Sequence, residues 1–309
     1  MLLRYAFKLL FLAAIVGAGY LLYRTWSQYS FDDVMRALTS IPMTNLALGL
    51  LFAACSYLCL ACNDWLGARY AGKPLPFRQT ALASFTGLSI GHNVGLAALS
   101  SGAVRYRFYS RWGLDTEEIA KIIVFCGATI ALGLSTLGAV GLYLRPGDAA
   151  KMTGLEASTI SAVALACLAF PILYLVLSAL LRKPLRIRSW HFDMPVFKLA
   201  VGQLIVGTVN YAFVAACLHQ MLSAFGDASY FKVATASVTA NIAAIISHVP
   251  GGLGVLEATI VHVLPGAESI AAVIAYRVVY YLIPLAIGVS LFIASEFILK
   301  AEDAPDTSH

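Results

Sequence analysis

The chain is 309 residues long, 60% hydrophobic and 12% charged, with a formal net charge of +5. Soluble domains average about 45–50% apolar and about 25% charged residues, so this composition excludes an ordinary soluble domain and describes an integral membrane protein. The basic residues lie between hydrophobic runs, where they set topology and meet anionic headgroups, and the positive charge does not indicate nucleic-acid binding.

Arg4 and Lys8 lead into an apolar run ending at Tyr23. Its end lacks the small-residue pattern of a signal-peptide cleavage site, so a retained first helix is predicted near 6–23. A second span follows near 43–62. It carries Cys55, Cys59 and Cys62, which would share one helix face. No His or acid accompanies these cysteines or Cys126, Cys167 and Cys217 in a ligand pattern, so all six read as small residues at helix contacts. Residues 79–100 are apolar but interrupted around Gly91-His92-Asn93-Val94-Gly95. Further uninterrupted spans are predicted near 118–143, 157–181, 194–220 and 269–295, each long enough for about 30 Å of hydrocarbon. Between the last two, residues 232–264 are broken by His248-Val249-Pro250-Gly251-Gly252-Leu253-Gly254, with Glu257 one turn later. Residues 301–309 form a short polar tail to a single membrane domain, 1–300.

Positive charge sets the topology. With a cytoplasmic N-terminus and both interrupted segments re-entrant, the cytoplasmic side holds fifteen of the 21 Lys and Arg, including the clusters at 105–121 and 182–198. If 79–100 crossed instead, both clusters would move outside and the excess would vanish. Each half, about 1–150 and 151–300, then contains three transmembrane helices and one broken segment, and three crossings invert the second half. The expected fold is therefore an all-α polytopic inverted repeat with both termini cytoplasmic. At an offset of 152 residues Gly102-Ala103-Val104-Arg105 falls on Gly254-Val255-Leu256-Glu257. Inverted repeats with paired broken helices bind substrate between the repeats.

The candidate substrate-binding residues are Arg105, Glu257, Asn93, Arg277, His92, His248 and Asn241. Arg105 and Glu257 occupy matching repeat positions and are expected to approach from opposite sides. Arg105 would hold a lipid phosphate through parallel hydrogen bonds, and Glu257 would face a cationic group, pair with Arg, or cap the half-helix after Gly254. Pro250, Gly251, Gly252 and Gly254 make the second break. His92, Asn93, Asn241 and His248 either satisfy backbone freed by the breaks or, for the histidines, carry a coupling proton. Arg277 either snorkels to the interface or faces the site. Tyr106, Arg107 and Arg111 alternate aromatic and basic character as at a headgroup interface. Asp64 and Glu296 are read as solvated near helix ends. No nucleophile elbow, zinc-protease motif, P-loop or dinucleotide fingerprint is present, which argues against an enzyme.

The pattern Gly-His-Asn…Ser-Gly-Ala-Val-Arg-Tyr-Arg…Trp-Gly-Leu, then Pro-Gly-Gly-Leu-Gly-Val-Leu-Glu and Tyr-Arg…Tyr-Tyr-Leu-Ile-Pro, resembles the membrane domain of bacterial lysylphosphatidylglycerol synthetase/flippase proteins and its stand-alone relatives. The likeness covers about residues 40–295 and is most specific at 250–257. By the family pattern Asn93, Arg105, Pro250, Gly251, Gly252, Gly254, Glu257 and Arg277 match motif positions, while Ala98 stands where a Pro is frequent. The resemblance implies movement of a phospholipid or aminoacylated phospholipid between leaflets of the bacterial inner membrane, without lysyl transfer and without a cofactor. The expected partner is membrane phospholipid, and homo-oligomers are compatible with this. The alternative is a non-transporting lipid-binding or scaffold protein serving a separate lipid-modifying enzyme.

Overall fold

The computed structural model of the protein describes residues 30–94, 97–154, 156–181, 185–187, 190–192, 194–247, 249–263 and 267–302. The first helix expected near 6–23 lies outside them, as do His248 and residues 303–309 of the tail.

Two long helices form the centre. Apolar runs without interior proline build α2 (Met43–Tyr70) and α8 (Phe197–Ser223); α1 (Phe31–Ser40) precedes them. The central helices run antiparallel: Asn45 Nδ2 donates to Gln220 O at 3.0 Å, Ser56 Oγ donates to Asn210 Oδ1 at 2.7 Å, and Gly202 faces Leu66. Around them lie Tyr57, Val214, Leu218, Met221, Val233 and Val279, all buried. The helix α1 starts on a capping box in which the Ser30 hydroxyl accepts the Asp33 N–H and the Asp33 carboxylate accepts the Ser30 N–H, both at 3.1 Å.

The first interrupted segment does break. It forms α3 (Phe77–Val94) and α4 (Ala97–Arg111), which pack side by side so closely that a Cβ on Gly87 would sit 3.2 Å from Ser101 O. Next comes α5 (Thr116–Leu144), opened by a second capping box between Asp115 and Glu118 at 2.8 and 2.9 Å. It presses on α8 through glycine, since a Cβ on Gly133 would overlap Gly207 O. Small residues permit this backbone contact, as at membrane helix interfaces. The short α6 (Pro146–Thr153) leads to α7 (Ala157–Leu180), whose Leu165, Ile172 and Leu173 are exposed, an outward aliphatic face suited to lipid.

The all-α expectation holds for the spans, and the loop between α7 and α8 adds only a short hairpin, in which β1 (Leu185–Ile187) and β2 (Trp190–Phe192) pair antiparallel with Leu185 opposite Phe192. Leu-Arg-Ile and Trp-His-Phe alternate at the strand period.

The second interrupted segment becomes α9 (Tyr230–Ser247), a turn over 250–252, and α10 (Val255–Val263), which packs back on α9. Gly251, Gly252 and Gly254 have φ of 62°, 58° and 80°, so this turn requires glycine. The last rod consists of α11 (Ala267–Arg277), a π-helical turn (Val278–Leu282) and α12 (Ile283–Glu302). Pro284 has no N–H to return to Tyr280 O; that carbonyl instead meets Tyr57 Oη at 3.4 Å, and Tyr281 O accepts from Asn93 Nδ2 at 3.3 Å.

Among the described residues six helices are long and apolar enough to cross a membrane: Met43–Tyr70, Thr116–Leu144, Ser158–Leu180, Phe197–Ser223, Tyr230–Ser247 and Ser269–Phe297. Five lie where the uninterrupted apolar runs predict them. The other, Tyr230–Ser247, is the first arm of the broken segment and meets the length and apolarity of a span by itself.

Candidate functional site

The hairpin α3–α4 and the hairpin α9–α10 meet beside α2 and α5. At their junction a Cβ on Gly251 would lie 3.8 Å from the carbonyl oxygens of His92 and Asn93. Below this junction is a cavity of about 460 Å³. One end of its lining is polar and buried, formed by Asn63, Ser101 and Arg105, which are 3%, 2% and 4% exposed. His92, Asn241 and Tyr281 line the remainder, with aliphatic Leu88, Ile123 and Ile130. Ile245 of α9 also lines the cavity and is 54% exposed.

Arg105 and Glu257 do not pair. Arg105 Nε and Nη2 donate to the two carboxylate oxygens of Asp64 at 2.8 Å each, and Nη1 donates to Ser101 Oγ at 3.0 Å. Tyr109 Oη completes the set on Asp64 at 2.9 Å. Asp64, expected to be solvated, is fully buried. The reason is helix length: α2 continues to Tyr70, eight residues past the expected end, so Asp64 stays inside the bundle. Removing either charge of such a pair strands the other, at about 3–5 kcal/mol.

Glu257 is held by Arg277 instead, through Nε and through Nη2 at 2.9 Å, and its carboxylate also caps α10 by accepting the Gly254 N–H at 2.9 Å. Arg277 does not snorkel. It is 4% exposed and donates further to Gly251 O at 2.9 Å and Gly252 O at 3.1 Å. One guanidinium thus staples the Pro-Gly-Gly turn, whose carbonyls no helix satisfies, onto the last rod.

Asn93 bridges Ser89 O and Tyr281 O at 2.8 and 3.3 Å, tying α3 to the π turn. Asn241 Nδ2 donates to Ser237 O at 2.8 Å within α9. The His92 ring packs among Tyr57, Tyr280 and Tyr281, and its Nδ1 is buried without a hydrogen bond. Arg107 binds Glu296 at 2.9 and 2.7 Å and Arg111 joins at 3.2 Å, so Glu296 is a paired rather than a solvated group. These residues, with Tyr106 packed near the buried Phe108 and Phe292, sit at the end of α4 against α12 and do not line the cavity. Among the described residues no cluster of His, Cys, Asp or Glu has the composition of a metal site.

Asn63 was missed and Asp64 was read only as a solvated group, although an Asn-Asp pair inside an apolar run is itself a signal. Tyr109, Ser101 and Tyr281 carried no such mark.

A family model described as the lysylphosphatidylglycerol synthase TM region matches residues 9–288. Among curated proteins the chain is similar to the uncharacterized protein slr0712 of Synechocystis, 30% identical over 261 residues, covering 83% of this chain and 81% of the other. It is also similar to the inner membrane protein YbhN of Escherichia coli, 28% identical over 295 residues, covering 93% and 90%.

Proposed function

The chain belongs to the lysylphosphatidylglycerol synthase transmembrane-region family, and from that premise we propose that it moves phospholipid headgroups between the leaflets of the bacterial inner membrane. The observation that carries this reading is the cavity's mixed lining: a buried polar end at Asn63 and Arg105 and aliphatic residues that include the exposed Ile245. An amphipathic ligand fits such a lining, with its headgroup on the polar residues and its acyl chains against the exposed Ile242, Ile245 and Ile246. At 460 Å³ the cavity has the size of small-ligand sites, about 300–1,000 Å³. It is smaller than a two-chain lipid, so the chains stay in the bilayer. Taking a bare phosphate through hydrocarbon is prohibitive, and the polar end supplies the missing contacts.

On this reading both hairpins are re-entrant, and the two halves form an inverted repeat. Ser56 and Asn210 support the repeat. They are 154 residues apart, close to the motif offset of 152, and they touch where α2 crosses α8. The 152-residue offset matches Ser56 with Thr208, so this contact lies two residues from the pair that a pseudo-two-fold axis would bring together. Arg107, Arg111 and Glu296 gather the end of α4 and the end of α12 on one face, with Lys73 3.6 Å from Glu118 joining the α2–α3 loop to the start of α5. Asn45 and Gln220 lie at the opposite face. The charge count assigns the first face to the cytoplasm and both termini with it. YbhN's description as an inner membrane protein supports the location.

The test is leaflet exchange of a headgroup-labelled phospholipid in proteoliposomes, with Gly127→Leu for comparison. Gly127 lines the cavity, and a Cβ there would touch nothing within 4 Å, so leucine grows into the cavity without displacing protein. Protein-dependent exchange that falls at least tenfold in Gly127→Leu is expected. Exchange equal to that of protein-free vesicles would overturn the reading.

A further inference from the structure

The cavity's charge and hydrogen-bond inventory narrows the headgroup, given the reading that a lipid headgroup enters it. Among the described lining residues Arg105 alone carries a formal charge, and Asp64 neutralises it through two hydrogen bonds. At the rim, Arg277 is likewise balanced by Glu257. The described site is therefore formally neutral. A lipid bearing one net charge would bring that charge, uncompensated, into a buried space at a cost of several kcal/mol.

The groups without partners are of two kinds. Arg105 uses three of its five N–H groups on Asp64 and Ser101, and the other two are donors seeking an acceptor. The second kind are acceptors. Asn63 Oδ1 is buried in a residue 3% exposed and accepts no hydrogen bond. Asn241, which also lines the cavity, spends its Nδ2 on Ser237 O and has a carbonyl oxygen as its remaining polar group. The imidazole of His92 has a buried Nδ1 without a partner, and in its neutral form it offers one acceptor nitrogen. Buried polar groups are normally satisfied, so a set of unsatisfied ones around a single cavity describes the ligand that completes it.

We propose that the cavity recognises a zwitterionic phospholipid with a primary ammonium, its phosphodiester on the remaining Arg105 donors and its ammonium among Asn63, Asn241 and His92. The pair of ligand charges leaves the filled site neutral. Three ammonium N–H donors meet three acceptors, whereas a trimethylated ammonium has no N–H and leaves all three acceptors unmet.

The test measures binding, independently of transport. Purified wild-type protein in detergent is titrated with dihexanoyl-phosphatidylethanolamine, dihexanoyl-phosphatidylcholine and dihexanoyl-phosphatidylglycerol and scored by native mass spectrometry. The ethanolamine lipid should bind at least tenfold more tightly than either of the others. In Asn63→Leu and in Asn241→Leu its advantage over the choline lipid should shrink severalfold, with folding preserved because neither substitution breaks an interhelical bond. Equal binding of the ethanolamine and choline lipids, tighter binding of the glycerol lipid, no binding of any, or a preference untouched in both variants would overturn the proposal. Leaflet exchange without the ethanolamine preference defeats this inference alone, and the preference without exchange defeats the transport reading alone.

Discussion

Breaking the Arg105–Asp64 pair tests the described interior most sharply. Asp64 is fully buried, Arg105 is 4% exposed, and two bonds of 2.8 Å join them. Arg105→Ala or Asp64→Leu leaves one buried charge unpaired, so each single substitution is expected to cost about 3–5 kcal/mol. The double replacement Asp64→Leu/Arg105→Met removes both charges and keeps volume. Its residual cost comes from Tyr109 Oη, which loses its Asp64 partner at about 1–3 kcal/mol. Adding Tyr109→Phe to the double variant removes this cost. The assay is thermal unfolding in detergent with a thiol-reactive dye, for which the buried Cys126 and Cys217 report opening. At about 2–4 °C per kcal/mol, each single variant should melt roughly 6–20 °C low, and the double variant should recover most of the loss. Single effects that add in the double variant, or singles within about 1 kcal/mol of wild type, would refute a buried pair. Every variant that replaces Arg105 loses its donors, so even the stabilised double variant should bind no headgroup.

Gly127→Ala and Gly127→Leu should hold or raise the melting temperature, because glycine inside a helix costs about 0.5–1 kcal/mol relative to alanine and the space is empty; a fall of several degrees would show that the cavity is filled by protein. Gly133→Ala should lower stability by about 1–3 kcal/mol or more, since the new Cβ overlaps the Gly207 carbonyl oxygen and α5 and α8 must separate; unchanged melting would contradict that contact. Arg277→Lys keeps the charge but loses the fork that reaches Glu257 and two carbonyls together. A loss of about 1.5–3 kcal/mol is expected, with faster hydrogen exchange at the amides of Gly251 and Gly252; exchange as slow as in wild type would count against the staple.

Hydropathy located most of this fold because burial in lipid demands long apolar runs, and α5, α7 and α8 begin and end within three residues of them. The second break was legible for an equally direct reason. Three residues with positive φ require glycine, and Pro-Gly-Gly-Leu-Gly supplies it. Side-chain partners were not legible, since Arg105 and Asp64 are 41 residues apart and meet because α4 and α2 both pack against α3 and α5. The matching repeat positions of Arg105 and Glu257 suggested a shared site, yet each residue found a charge on a different neighbour. The small β-hairpin was hidden by its length, because three-residue strands carry too little alternation to stand out beside helices of 27 and 24 residues. The capping boxes at Ser30 and Asp115 were readable from residue type and spacing alone.

The most direct test of the account is photo-crosslinking in native-like membranes with a phospholipid carrying a diazirine on its headgroup, followed by peptide mapping. Adducts at Asn63, at Gly127 and Ile130, and along residues 241–245, lost in Gly127→Leu, are the predicted result. Adducts confined to exposed positions such as Leu165 and Leu173 on α7, with the cavity peptides unlabelled, would contradict it.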